Sequence, residues 1–148
     1  MFQKFTHKGV FRPKNPDKYV GNSKNIIYRS SWEKRFMIYC DNTPEVISWA
    51  SEELSIPYIS PLDGRVHKYY PDFIIYYKTP EKLKTSVIEV KPQKETKPPR
   101  KKKNKKLFLQ EIRTWEVNKS KWAAAEEYCE DRGWEFIIMT ERQLKPNK

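Results

Sequence analysis

At 148 residues, 37% of them hydrophobic and 14% aromatic, the chain suits one globular domain with its own core and not a disordered segment. Its net charge of +11 and pI near 9.6 point to a polyanionic partner, nucleic acid before an acidic membrane surface. Two cysteines without a C-x-x-C and two isolated histidines argue against zinc, disulfide and histidine-based sites, and no apolar run approaches the ~18 residues of a membrane span.

Residues 1–25 are polar, basic and proline-containing, and read as an extended N-terminal arm with no apolar signal-peptide region. The folded domain is expected over residues 26–148. Ser30 or Ser31 suits an N-cap, and Trp32, Phe36, Tyr39 and Cys40 follow at helical spacing until Asn42-Thr43-Pro44 stops the helix. On that helix Glu33 falls at the edge of the apolar stripe, while Lys34 and Arg35 lie on the outer side. Glu45 to Ser51 reads as a strand, and Glu52 to Tyr58 as another or as its continuation. Asp63-Gly64 is a hairpin turn.

Val66 to Tyr77 reads as one long strand carrying Asp72, with Thr85 to Lys91 as its hairpin partner. From Lys91 to Lys106 there are nine Lys or Arg and one Glu, so this stretch carries +8 of the net charge. It contains Pro98-Pro99, and residues 92–106 are expected to form a mobile basic loop. Two helices are expected next, Leu107 to Trp115 and Asn118 to about Arg132, the second ended by Gly133. Trp134 to Met139 is a final strand, and Thr140-Glu141 opens a short closing helix. The order gives an α/β fold, a mixed sheet flanked by helices.

The chemistry concentrates where two neighbouring strands meet. Pro71-Asp72 opens one apolar run and Glu89-Val90-Lys91 closes another, 17 residues later. Side chains alternate along a strand, so Glu89 and Lys91 share a face, and antiparallel pairing lets Asp72 and Glu89 meet at one end of the sheet. Two carboxylates there would hold a hard divalent cation such as Mg²⁺ (or Mn²⁺), and Lys91 would orient water and offset charge on a phosphate. The plainer reading is that the Asp is a turn residue and Glu-x-Lys a solvated strand end. The basic run is equally readable as a solvated linker. Asn118 and Lys121 extend the apolar stripe of their helix, either to meet a polar site or simply as a cap and a snorkelling lysine.

These pieces, in this order, resemble the PD-(D/E)xK (restriction-endonuclease-like) nuclease superfamily. Within it the chain resembles the head-completion nucleases of T-even-type tailed phages, and more distantly TnsA-type transposase endonucleases. The likeness rests on Tyr28-Arg29-Ser30-Ser31-Trp32-Glu33-Lys34, on Trp49-Ala50-Ser51-Glu52 with Ile56-Pro57-Tyr58, and on Ile88-Glu89-Val90-Lys91-Pro92 with Lys94-Glu95-Thr96. Thr114-Trp115, Val117-Asn118 and Lys121-Trp122 complete it. The resemblance implies a restriction-endonuclease-like fold, metal binding by Asp72, Glu89 and the Val90 carbonyl, Lys91 as the catalytic lysine, and Glu33 completing the acidic cluster. Glu52 would face the same site.

The activity implied is Mg²⁺-dependent endonuclease cleavage of double-stranded DNA with little sequence specificity, and the same chemistry would serve exonuclease action on ends. The expected phosphate contacts are Lys34, Arg35, Lys94, Lys97, Arg100, Lys101, Lys102, Lys103, Lys105, Lys106, Arg113, Asn118 and Lys121. The resemblance also implies virion assembly at head–tail joining, with head, portal or neck proteins as partners. The setting is the host cytoplasm, with incorporation in the virion neck a further expectation. Cutting both strands needs two events, so a homodimer is a candidate state. The rival readings are a DNA-binding neck plug without catalysis and a transposase-like subunit that cuts only beside a partner. A membrane-surface binder would need an amphipathic basic helix with an exposed apolar face, which the sequence lacks.

Overall fold

The computed structural model describes residues 8–144. Its centre is a four-stranded mixed sheet in the order β3 (Val46–Ser51), β6 (Phe73–Lys78), β7 (Leu83–Val90), β8 (Glu135–Met139). The first three strands are antiparallel and β8 runs parallel to β7. Two small antiparallel pairs flank it: β1 (Gly9–Phe11) with β2 (Ile26–Tyr28), and β4 (Ile56–Ile59) with β5 (Val66–Tyr69). The helices are α1 (Ser31–Asn42), α2 (Lys105–Arg132) and the short α3 (Glu141–Leu144).

β7 is one of the two interior strands and is buried from Ser86 to Val90, so its end carries Glu89 into a buried position. On β8 the alternation separates the two faces. Ile137 and Met139 pack with the core that holds Phe36 and Phe73, whose rings lie 4.7 Å apart. Ile138 packs on a second core of Ile56, Tyr58, Tyr69, Trp122 and Ala125, between the β4–β5 hairpin and α2. The sheet is thus covered by α1 on one face and by α2 with the hairpin on the other.

Three expectations about the elements change. Residues 8–25 are not a detached arm. Phe11 and Tyr19 bury their rings edge-on against Trp49, at 5.9 and 4.8 Å. The buried Asp41 carboxylate accepts the Lys14 and Asn15 N–H groups. The expected arm therefore docks because its few aromatic residues bury against the core, which its polar composition conceals. Residues 1–7 of that arm lie outside the described residues.

The strand expected over residues 66–77 is two strands in different sheets. Buried Pro71 lacks the N–H that a continuous ladder needs, and Tyr70-Pro71-Asp72 form the corner between them. The Asp63-Gly64 turn does close the β4–β5 hairpin, with Gly64 at φ +70°. The two helices expected after residue 107 are one helix of 28 residues, since nothing between Trp115 and Asn118 interrupts it. The Asn104 side chain caps its start by accepting from the Leu107 N–H, and Gly133 ends it at φ +73°.

Candidate active site

The site is assembled where α1 begins, β3 ends, β6 begins and β7 ends. At the start of α1, Ser30 accepts the Glu33 N–H at 3.0 Å, and Glu33 Oε1 reaches back to accept the Arg29 N–H at 3.0 Å. This reciprocal cap fixes Glu33 in the first turn and turns its carboxylate toward the sheet. Glu33 is 7% exposed, so the expectation that it points inward holds.

Just past the end of β3, Glu52 takes a left-handed backbone at φ +56°, rare for a residue with a long side chain. Its N–H donates to the Asp72 carbonyl at 3.1 Å, which sets it beside the corner before β6. Arg29 then grips its carboxylate with two hydrogen bonds, Nε to Oε2 at 2.9 Å and Nη2 to Oε1 at 3.0 Å. Asp72 is held from the other side: Oδ2 accepts the Val90 N–H at 2.7 Å. Each of Glu33, Glu52 and Asp72 offers a carboxylate oxygen, and these atoms lie within 4.8 Å of one another.

Glu89 lies next to this group and is 7% exposed. Its Oε1 accepts the Tyr69 hydroxyl hydrogen at 2.5 Å, and its Oε2 stands 3.8 Å from Lys91 Nζ. Lys91 is also 4.0 Å from Glu95 Oε1. Lys121, from the middle of α2, lies over the rings of Tyr58 and Tyr69 at 5.9 and 5.6 Å.

Burial pushes all three inner acids above the usual carboxylate range. For Asp72 the rise is large, and the negative charges of Glu89 and Glu33 add to burial, while the Val90 N–H opposes it. For Glu33 burial outweighs the Arg29 N–H. For Glu89 burial outweighs Lys91 and the Tyr69 hydroxyl. Burial pushes Lys121 down, against the pull of Glu89. Tyr69 is raised by burial and then by the adjacent Glu89 charge.

These acids share a small volume and carry more negative charge than the neighbouring cations offset. An all-oxygen donor set of this kind fits a hard divalent cation such as Mg²⁺ or Mn²⁺. Glu33, Glu52 and Asp72 are the residues whose oxygens already converge. Glu89 would complete the set from the β7 side. The contribution seen from Val90 is its N–H, to Asp72.

The residues expected to meet DNA divide into two groups. Lys34 is exposed over the Tyr28 ring at 5.3 Å. Lys94, Lys97, Arg100, Lys101, Lys102, Lys103, Lys105, Lys106 and Arg113 lie along the loop and the first half of α2, all of them exposed. Arg35 differs from expectation: its guanidinium donates to the Leu144 carbonyl and ties α1 to α3. Asn118 is buried and Lys121 half-buried, both on the inner side of α2. The basic loop is also more tethered than a free run would be. Gln93–Thr96 forms a 3-10 turn whose Gln93 N–H donates to Glu141 Oε1 at 2.7 Å, and Lys102 pairs with Glu111 at 3.5 Å.

Sequence reasoning misses Arg29 and Tyr69 as site residues. Arg29 sits in a helix-start pattern, but its pairing with Glu52 spans 23 residues and needs the turn at Glu52. Tyr69 falls within the same predicted strand as Asp72, and its reach to Glu89 arises only once the hairpin folds over.

The family model described as TnsA-like endonuclease N terminal matches residues 43–141. That span takes in Glu52, Tyr69, Asp72, Glu89 and Lys91, and starts after Arg29 and Glu33. A head completion nuclease of Enterobacteria phage T4 is 42% identical over 144 residues, covering 94% of each chain.

Proposed function

This chain belongs to the TnsA-like endonuclease family, and we propose that it is a metal-dependent nuclease that hydrolyses phosphodiester bonds of double-stranded DNA. The observation that carries the reading is the convergence of Glu33, Glu52 and Asp72 within 4.8 Å, beside the Glu89–Lys91 pair at 3.8 Å. A structural plug has no use for such a cluster.

Mg²⁺ or Mn²⁺ bound there would supply Lewis-acid stabilisation of the phosphate and a nucleophile at neutral pH. Asp72 and Glu89 are held for this role by neighbours: the Val90 N–H orients Asp72 and the Tyr69 hydroxyl orients Glu89. Arg29 keeps Glu52 at the rim. Lys91, beside Glu89, orients the attacking water and offsets negative charge on the phosphate. The lysines of residues 94–106 hold the DNA backbone without reading bases, so cleavage has little sequence preference. Action on ends, as an exonuclease, uses the same groups.

The relative's name supports a role in completing phage heads during virion assembly. We place that role in the host cytoplasm, with head, portal or neck proteins as docking partners and the virion neck as the final location. A homodimer would supply the two sites that a double-strand cut needs. No helix among the described residues is long and apolar enough to cross a membrane.

The test is cleavage of supercoiled and linear duplex DNA by the purified protein, with Mg²⁺ or Mn²⁺ and with EDTA, beside Glu89→Ala. Metal-dependent nicking that the variant abolishes is expected. Equal cleavage by both proteins would overturn the assignment of the site. Salt-sensitive binding without cleavage by either would favour a partner-dependent subunit or a plug.

A further inference from the structure

A cleft of about 890 Å³ lies not over the acids but beside them, between the basic loop and the first half of α2. That volume is in the range of sites that enclose a small organic group. Three of its features share one chemistry.

The first is an aromatic platform. Trp115 lines the cleft half-buried, braced edge-on by Trp122 at 6.1 Å, with Lys119 Nζ 5.7 Å from its ring centre. The second is Asn118, one turn further along α2. It is 7% exposed, it lines the same cleft, and its side-chain amide makes no hydrogen bond among the described residues. The amide carries both donors and an acceptor, and since it is not among the fully enclosed side-chain polar atoms that lack a hydrogen bond, it remains open to the cleft. The third is a wall of cations, Lys94, Lys97 and Arg100. The acids of the rim are already engaged: Glu95 with Lys91, Glu111 with Lys102, and Glu141 with the Gln93 N–H.

A flat π-surface, a hydrogen-bonding amide and phosphate-binding cations are what an unpaired nucleotide requires. A paired base offers neither its face nor its Watson–Crick edge, so intact duplex would leave Trp115 and Asn118 unused. The cleft is also placed to act with the site. Asn118 and Trp115 lie three and six residues before Lys121, roughly 4.5 and 9 Å along the helix axis. At ~3.4 Å per nucleotide along one strand, that is a reach of about one to three nucleotides.

We propose that this cleft holds an unpaired nucleotide of the DNA strand, stacked on Trp115 and hydrogen-bonded by Asn118, so that the enzyme prefers DNA with a frayed or single-stranded end next to the cut. The proposal rests on the DNA-nuclease reading above and adds the form of substrate.

The experiment compares binding of two DNAs by the full chain in EDTA: a blunt duplex, and the same duplex with a three-nucleotide overhang carrying 2-aminopurine. The overhang DNA is expected to bind about 10-fold tighter, with the 2-aminopurine fluorescence quenched by stacking. Trp115→Ala should reduce the preference to within about twofold and restore the fluorescence while leaving blunt-duplex binding unchanged, which also shows that the variant is folded. Trp115→Phe, which keeps a stacking face, should retain most of the preference. Equal binding of both DNAs by the native chain would overturn the proposal and leave the nuclease reading standing. So would an equal loss of both in Trp115→Ala. Failure to bind either DNA would overturn the nuclease reading itself and this proposal with it.

Discussion

The Tyr69 hydroxyl donates to Glu89 Oε1 at 2.5 Å, joining the outer hairpin to the end of β7, an interior strand of the main sheet. Tyr69 is 4% exposed and belongs to a different sheet from Glu89. The hairpin therefore does more than cover α2: it sets the angle of the acid that pairs with Lys91. Tyr69→Phe removes this hydrogen bond and keeps the ring in its core. Activity is expected to fall about 10- to 100-fold, as for other groups that orient a ligand, with little change in DNA binding. Single-turnover cleavage beside a binding isotherm checks this, and unchanged cleavage would show that Glu89 needs no such support.

The buried acids make a pH-dependent contribution with a definite sign. Asp72 binds its proton more tightly in the folded chain than in the unfolded one. Between the ordinary carboxylate range near ~4 and its raised folded value, the unfolded chain binds fewer protons, so ionisation of Asp72 lowers stability as pH rises through that window. Above the window the penalty is constant. In EDTA, Asp72→Asn should thus gain stability relative to the native chain as pH is raised, by on the order of 1 kcal/mol for each pH unit crossed inside the window. Thermal melts of both proteins from about pH 4 to about pH 8 measure this. A constant difference across the range would show that Asp72 carries no such strain.

Added cation should act on the same strain. If Glu33, Glu52 and Asp72 bind Mg²⁺ in the folded state alone, excess Mg²⁺ raises the melting temperature of the native chain at neutral pH. At roughly 100 times the dissociation constant the gain is about 2.7 kcal/mol. Asp72→Asn should lose most of this response. An equal rise in both proteins would place the stabilising cation elsewhere.

Glu52 combines a carboxylate at the site with a left-handed backbone. Glu52→Gly and Glu52→Ala both remove the carboxylate and its grip by Arg29, but only glycine adopts φ +56° without a steric penalty. Both variants should lose activity together, and the glycine variant should be more stable than the alanine one by about 1 kcal/mol. Urea unfolding separates them. Equal stabilities would mean that the turn relaxes readily.

The basic loop should govern affinity and not chemistry. Replacing Lys101, Lys102, Lys103, Lys105 and Lys106 with glutamine is expected to weaken DNA binding and flatten its salt dependence, by about 0.9 in the log–log slope for each phosphate that is no longer neutralised. Mg²⁺ stabilisation should survive. An unchanged slope would mean that the loop serves a protein partner or is only a solubilising linker.

The sequence by itself determined the parts of this protein that depend on local pattern. The helix start at Ser30–Glu33, the Asp63-Gly64 turn, the apolar runs of β6 and β7 and the Asp72 to Glu89-x-Lys91 arrangement follow from capping, turn chemistry and period-two alternation, which act over a few residues. The net charge and its concentration between Lys91 and Lys106 are likewise composition alone. Only the tertiary structure decided the rest. Phe11 and Tyr19 turn a polar segment into a docked one because Trp49 offers them a buried face. Pro71 splits one apolar run between two sheets, which frees Tyr69 to reach across to Glu89. Arg29 meets Glu52 because a single left-handed residue ends β3 beside Asp72. Contacts between residues about twenty or more positions apart depend on how whole elements bury their apolar faces, and that free energy belongs to the assembled core and not to any local stretch of sequence.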